Sequence, residues 1–300
     1  MKRSSDERTK GIIALVLLTL VFASMGLFVR YLNAGFLLFQ QVYLRVFAAF
    51  ILGIVIFNKD LSLEKLKKIS VKEWGLFLFR GISGYLFGVT LFSQAILLTK
   101  YSSVSFIGAL PFTAVFGVFL FKEKLNIQKF LLILLAFIGV VLISVKDYSN
   151  IFIWGRGEVV ALVSTIFYSL SLISRKWHSK LLNNKEITTI TFFIAGIAVL
   201  ITSICAGEGL PLNHWTLGLF TAVIGAGLFN VINLFLINYG FQKVEGILAS
   251  NILTLESFFA IILGFLFYKE LPGLKEIIGG VLIVGSVLLM NQLDSKRRLV

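Results

Sequence analysis

Ten stretches of about twenty residues, each almost free of charge, follow one another along this 300-residue chain. They lie at about 11–31, 36–57, 74–95, 101–121, 127–145, 156–175, 187–206, 214–238, 244–267 and 274–291. A run of that length is what a helix needs to cross the hydrocarbon core of a bilayer. Inside lipid each segment must satisfy its own backbone hydrogen bonds, which leaves the helix as the open choice. Barrel strands are excluded, because they are half as long and alternate in polarity. The separators are short and carry turn residues, as in Asn33-Ala34-Gly35 and Leu271-Pro272-Gly273. Composition agrees: 58% of residues are hydrophobic and 14% charged, against a charged share of about 25% in soluble domains. The expected fold class is therefore an all-α integral membrane protein with ten transmembrane helices. The first stretch exceeds a signal-peptide core and no small-x-small cleavage site closes it, so it reads as a span. Asn58–Glu73, where Leu61, Leu63, Leu66 and Ile69 alternate with lysines, reads as an amphipathic connector at the membrane surface.

The net charge of +13 reflects topology rather than nucleic acid, because Lys and Arg gather in short loops. With the N-terminus inside, the inner segments hold twenty of them and the outer segments six, with Arg45 and Arg80 inside spans. The positive-inside rule then places both termini in the cytoplasm, in the inner membrane of a prokaryote. Cys205 is the single cysteine, so no intramolecular disulfide forms. His178 and His214 lie in separate polar segments, and neither a metal site nor another cofactor is expected.

The first half of the chain recurs in the second. Phe22-Ala23-Ser24 with Arg30 matches Phe167-Tyr168-Ser169 with Arg175 at a shift of 145; Phe87-Gly88-Val89 matches Phe229-Asn230-Val231 at 142; Phe119-Leu120-Phe121 matches Phe265-Leu266-Phe267 at 146. Three matches in one order at nearly one shift are the mark of an internal repeat. Five spans is an odd number, so the second copy enters the membrane from the opposite face, as in carriers whose halves rock about a central site. The expected division is a tail at 1–10, repeats at 11–145 and 156–291, and a tail at 292–300.

Two further segments carry a family resemblance. Ala95–Leu125 contains Thr99-Lys100-Tyr101-Ser102-Ser103, Ala109-Leu110-Pro111-Phe112 and Lys122-Glu123-Lys124-Leu125; Ala249–Leu271 contains Ala249-Ser250-Asn251, Leu255-Glu256-Ser257-Phe258 and Lys269-Glu270-Leu271. With the shifts above, the chain resembles the drug/metabolite transporter superfamily in its EamA-type branch, from about 11 to 291. The resemblance implies two inverted five-helix repeats and transport of small organic solutes, such as amino acids, often outward. Where the family commonly has Glu-Pro in the second repeat, this chain has Glu256-Ser257, which removes the proline for a bend there. Pro111 retains it in the first repeat and is the expected hinge.

Glu256 is thirteenth of the 24 residues in 244–267, close to the bilayer centre, where a charge costs on the order of 2.5–3.5 kcal/mol and faces a bundle interior or wet cavity. It is the leading candidate for holding a substrate ammonium or a coupling proton, the alternative being a structural carboxyl. Arg45, tenth of 22 in its span, is a candidate charge partner for Glu256 or a substrate carboxylate, or else a brace on backbone carbonyls. Arg80 is nearer the inner end and expected to snorkel. Asn230 and Asn233, three apart and so on one helical face, join Asn251 as candidate solute ligands or as polar links between helices. Ser24, Tyr85, Ser105 and Tyr168 are further candidate lining groups. Gly81, Gly84 and Gly88 have close-packing spacing, and Glu123 and Glu270 read as interfacial anchors.

An enzyme is not expected. The four aspartates, Asp6, Asp60, Asp147 and Asp294, all lie outside the spans, no span holds a histidine in its interior (His214 stands at the edge of one), and no Gly-Lys-Ser/Thr phosphate loop is present. The reading is an alternating-access secondary carrier and exporter, with protons as candidate coupling ion, a bilayer and a small solute as partners, and a monomer or homodimer as assembly. The rival is an uncoupled facilitator, exchanger or lipid-flipping carrier of the same fold.

Overall fold

The computed structural model describes residues 2–99, 104, 107–144, 155–212, 215–259, 262 and 273–297. Apolar runs without helix breakers become helices, and no strand occurs among the described residues. In chain order they are α1 (Lys2–Leu32), α2 (Leu38–Phe57), the connector helix α3 (Leu63–Lys68), α4 (Val71–Leu98), α5 (Phe112–Phe121), α6 (Ile127–Ser144), α7 (Arg156–Ile173), α8 (Asn184–Cys205), α9 (Leu217–Lys243), α10 (Gly246–Leu253) and α11 (Leu274–Arg297). Six of them, α1, α2, α4, α7, α8 and α9, are long and apolar enough to cross a membrane; shorter apolar helices run over Phe112–Phe121, Ile127–Leu142, Gly246–Phe259 and Ile277–Leu293.

Helix starts follow local capping chemistry. Asn183 accepts from Lys185 and Glu186 N–H, while Glu186 reaches back to Asn183 N at 2.7 Å. Thr216 caps α9 through Leu219 N, and Ser70 caps α4 through Glu73 N. At α2 the cap comes from afar: Glu208 accepts from Phe39 N at 3.2 Å and Gln40 N at 3.0 Å. Arg8 donates to Asn291 Oδ1 at 3.0 Å, so the two chain ends lie at one face of the bundle, here the terminus-bearing face.

The packing has an internal order. Helix α1 packs on α9 and α4 on α7; α2 packs on both α8 and α9, and α8 on α4; α5 packs on α10 and α6 on α11; α5 touches α7, and α1 touches α10. Exchange the set α1, α2, α4, α5, α6 for α7, α8, α9, α10, α11, and this set of pairs maps onto itself. Close approach is set by small residues. A Cβ at Gly88 would meet Tyr168 at 2.9 Å, and one at Gly84 would collide with Ser171 Oγ. The middle of α4, Gly81–Val89, winds as a π-helix, with Thr90 Oγ1 donating to the Tyr85 carbonyl at 2.9 Å. Ser164 Oγ donates to Gly88 O at 2.8 Å from α7.

Two helices near the middle are broken. The chain leaves helical geometry at Ala109–Pro111 before α5 begins at Phe112. In the second half the break falls at Thr254, where N–H bonds tighten to Thr254 N to Asn251 O (3.3 Å) and Ser257 N to Thr254 O (3.2 Å). The second half thus carries a one-residue interruption at Thr254, two residues before Glu256, without a proline.

Candidate functional site

Both halves contribute to one central cavity. Its wall includes Phe22 and Met25 from α1, Arg45 from α2, Gly88, Phe92 and Ser93 from α4, Thr113 from α5, Ser164, Thr165 and Tyr168 from α7, Asn230 and Asn233 from α9, and Ser250, Thr254, Glu256 and Ser257 around the second break. About 130 Å³ is open to the centres of water molecules; one water needs about 10–15 Å³ by that measure, so the space suits a solute of on the order of ten heavy atoms. The lining is apolar over most of its area and polar at a few points, as small-molecule sites are.

Glu256 lies two residues after the interruption at Thr254 and lines this wall. The Thr254 hydroxyl donates to Asn251 O at 2.6 Å and takes up a carbonyl freed by the turn. Among the described residues Glu256 has no ion pair. Arg45 is 2% exposed and braced by its own surroundings: Nε donates to Gln41 O at 3.0 Å and Nη2 to Ser93 Oγ at 3.2 Å. Both groups therefore line the same cavity without being joined to each other. Asn230 and Asn233 share the cavity face of α9, and Asn233 Oδ1 is buried with no partner.

Other expected candidates lie elsewhere. Asn251 is buried between α10 and α11, with Ser286 Oγ 3.1 Å from its Oδ1, and is not in the cavity wall. Tyr85 is buried against Phe192, ring centroids 5.7 Å apart. Ser24 donates to Val21 O at 2.7 Å on its own helix. Ser105 and Glu270 fall outside the described residues. Arg80 does not snorkel: it is 1% exposed, inside the bundle.

Glu123, expected as a surface anchor, is instead a buried connector. Lys122, with φ of 53°, ends α5 in a left-handed turn, and the carboxylate behind it is 7% exposed. It accepts from Gly246 N at 2.9 Å and Ile247 N at 3.0 Å, the first turn of α10, and pairs with Lys176 beyond α7. A negative group at a helix N-terminus is favourable, and this one joins three helices at the terminus-bearing end of the cavity. Its signal in the sequence is only Lys-Glu-Lys after an apolar run, which does not tell an anchor from a latch.

The profile of the EamA-like transporter family matches residues 9–145 and again 155–292. An uncharacterized transporter of Bacillus subtilis (strain 168) is 26% identical over 297 residues, 95% of this chain and 91% of its own. An uncharacterized transporter of Clostridium kluyveri is 25% identical over 241 residues, 77% of this chain and 76% of its own. A solved crystal structure superposes with a TM-score of 0.77 over 98% of this chain and 99% of that one, at 17% identity, a likeness of fold.

Proposed function

This chain belongs to the EamA-like transporter family, and on that premise we propose that it is a secondary carrier of small organic metabolites, amino acids among them, working by alternating access. The observation that carries the reading is the central cavity lined by both halves of the chain, with Glu256 close to a helix break. Ten crossings arranged as two inverted five-helix repeats account for the two family matches and for the several helix pairs that correspond when the halves are exchanged. The excess of Lys and Arg in the segments of the terminus-bearing face supports cytoplasmic termini and an inner-membrane location. Net flux is outward, with a proton as coupling ion.

In this mechanism Glu256 alternates between holding a proton and holding the cationic group of the solute, so its ionisation has to matter. Glu256→Gln keeps shape and much of the hydrogen bonding while removing the charge. The variant should insert and fold, yet lose proton-driven accumulation in reconstituted vesicles, whereas solute exchange without a pH gradient should survive. Accumulation with an unchanged pH profile would make Glu256 structural and favour an uncoupled carrier.

A further inference from the structure

Among the described residues, Arg80 is a buried cation that lies outside the cavity wall. Arg80 shares a face of α4 with Phe77 and Glu73, three and seven residues earlier, and all three are buried. Opposite that face lies the segment following α7. His178 packs on Phe77 with ring centroids 4.8 Å apart and meets Glu73 Oε1 through Nδ1 at 2.8 Å. Ser179 N donates to the same carboxylate at 3.2 Å. Arg175, also buried, gives Nε and Nη2 to Asn184 Oδ1 at 3.2 and 2.6 Å. Glu73 is thus taken up by His178 and Ser179, and the Arg175 guanidinium by a neutral amide. Arg80 Nε and Nη1 are buried with no acceptor.

Two guanidinium groups against one carboxylate leave the cluster with an excess positive charge, shut away from water. A buried charge without a counter-charge is strongly unfavourable, which is why native structures pair or coordinate such groups. The excess is felt locally, since the His178 imidazole, already disfavoured as a cation by burial, is pushed down further by Arg80 and Arg175. Ser171 Oγ of α7 lies 3.4 Å from the Arg80 carbonyl, and Tyr168, one turn away on α7, faces the cavity. The cluster therefore sits between the cavity and the terminus-bearing face.

We propose that Arg80 and Arg175, between α4 and the end of α7, form an anion site for a carboxylate or phosphate group, separate from the central cavity. Arg80, whose Nε and Nη1 have no acceptor, presents a guanidinium fork that matches the planar or tetrahedral oxygens of such groups, and Arg175, held by Asn184, adds positive charge beside it. The site opens when the end of α7 parts from α4, and it is the first docking position for the acidic group of a solute bound for the cavity. That role rests on the carrier reading; binding itself does not, so it is read in detergent without transport.

Purified protein is titrated by calorimetry with inorganic phosphate and, separately, with acetate. Wild type and Arg45→Gln should bind one anion per chain, Arg80→Gln should bind at least tenfold more weakly, and Arg80→Lys should recover part of the loss. Binding of acetate that displaces phosphate assigns the site to organic acids, and phosphate alone to the free inorganic anion; either supports the site. Absence of saturable binding, or binding lost in Arg45→Gln and kept in Arg80→Gln, overturns it. Nitrogen-15 spectra of the wild type give a reading that needs no variant: saturating phosphate should move protonation of His178 to higher pH, because the anion offsets the two guanidinia, and an unmoved titration overturns the site.

Discussion

Arg45, Arg80 and Arg175 are each no more than 2% exposed, and their neighbours treat them differently. Arg45 has a carbonyl and a hydroxyl, Arg175 an amide, and Arg80 no acceptor at Nε or Nη1. Beside the last two, His178 is held neutral: burial, reinforced by Arg80 and Arg175, lowers its pKa to about 2 and outweighs the adjacent Glu73. The neutral ring donates Nδ1–H to Glu73. Its folded pKa lies below the ordinary value of about 6.5, so below pH 6.5 the unfolded chain binds a proton that the folded chain refuses. Stability contributed by neutral His178 is present above that pH and falls as pH drops, by up to about 1.4 kcal/mol per pH unit. The loss of thermal stability between pH 7 and pH 5 should therefore be smaller in His178→Gln than in wild type; equal losses would contradict the assignment. Glu256 and Asn230 were legible in the sequence because a polar residue deep in an apolar run has few other reasons to be there. Glu73 and His178 were not, since each sits at the edge of a polar connector and they meet across 105 residues.

At the scale of elements, hydrophobic run length placed the helices well, and it failed where backbone geometry departs from a plain α-helix. Pro111 announced the first break. The second, at Thr254, has no breaker residue, and its i to i−3 bonds are held by a threonine hydroxyl that sequence alone does not distinguish from any other. The π-helical stretch of α4 was equally silent, although its glycines were legible as contact points. They now carry a prediction. A methyl at Gly84 has no space against Ser171 Oγ, so Gly84→Ala should destabilise by about 1–3 kcal/mol, the usual range for overpacking. Thermal unfolding in detergent reads this directly, with Gly75→Ala as comparison, because nothing lies within 4 Å of a Cβ there. Equal midpoints for the two variants would show that α4 and α7 separate more easily than their packing implies.

For the whole molecule, three weak sequence matches at nearly one shift suggested a repeat, and several of the strongest helix pairs, α1 with α9 against α4 with α7 and α2 with α9 against α4 with α8, correspond when the halves are exchanged. The latch at Glu123 could not be read in advance because its partners, Lys176 and the first turn of α10, come from the second half. If rocking of the halves opens the terminus-bearing end, breaking that latch should favour the opened form. Glu123→Ala should then raise the reactivity of a cysteine at Ser250 toward a reagent applied from that face, by severalfold over the same cysteine beside intact Glu123. The claim at the centre of the account is that one cavity faces both sides in turn. It is tested by placing a cysteine at Ser257, in the cavity wall, in a Cys205→Ser background, and applying a membrane-impermeant maleimide to right-side-out and to inverted vesicles. Alternating access predicts labelling from both sides, and labelling from one side only, with or without a transported solute, would contradict it.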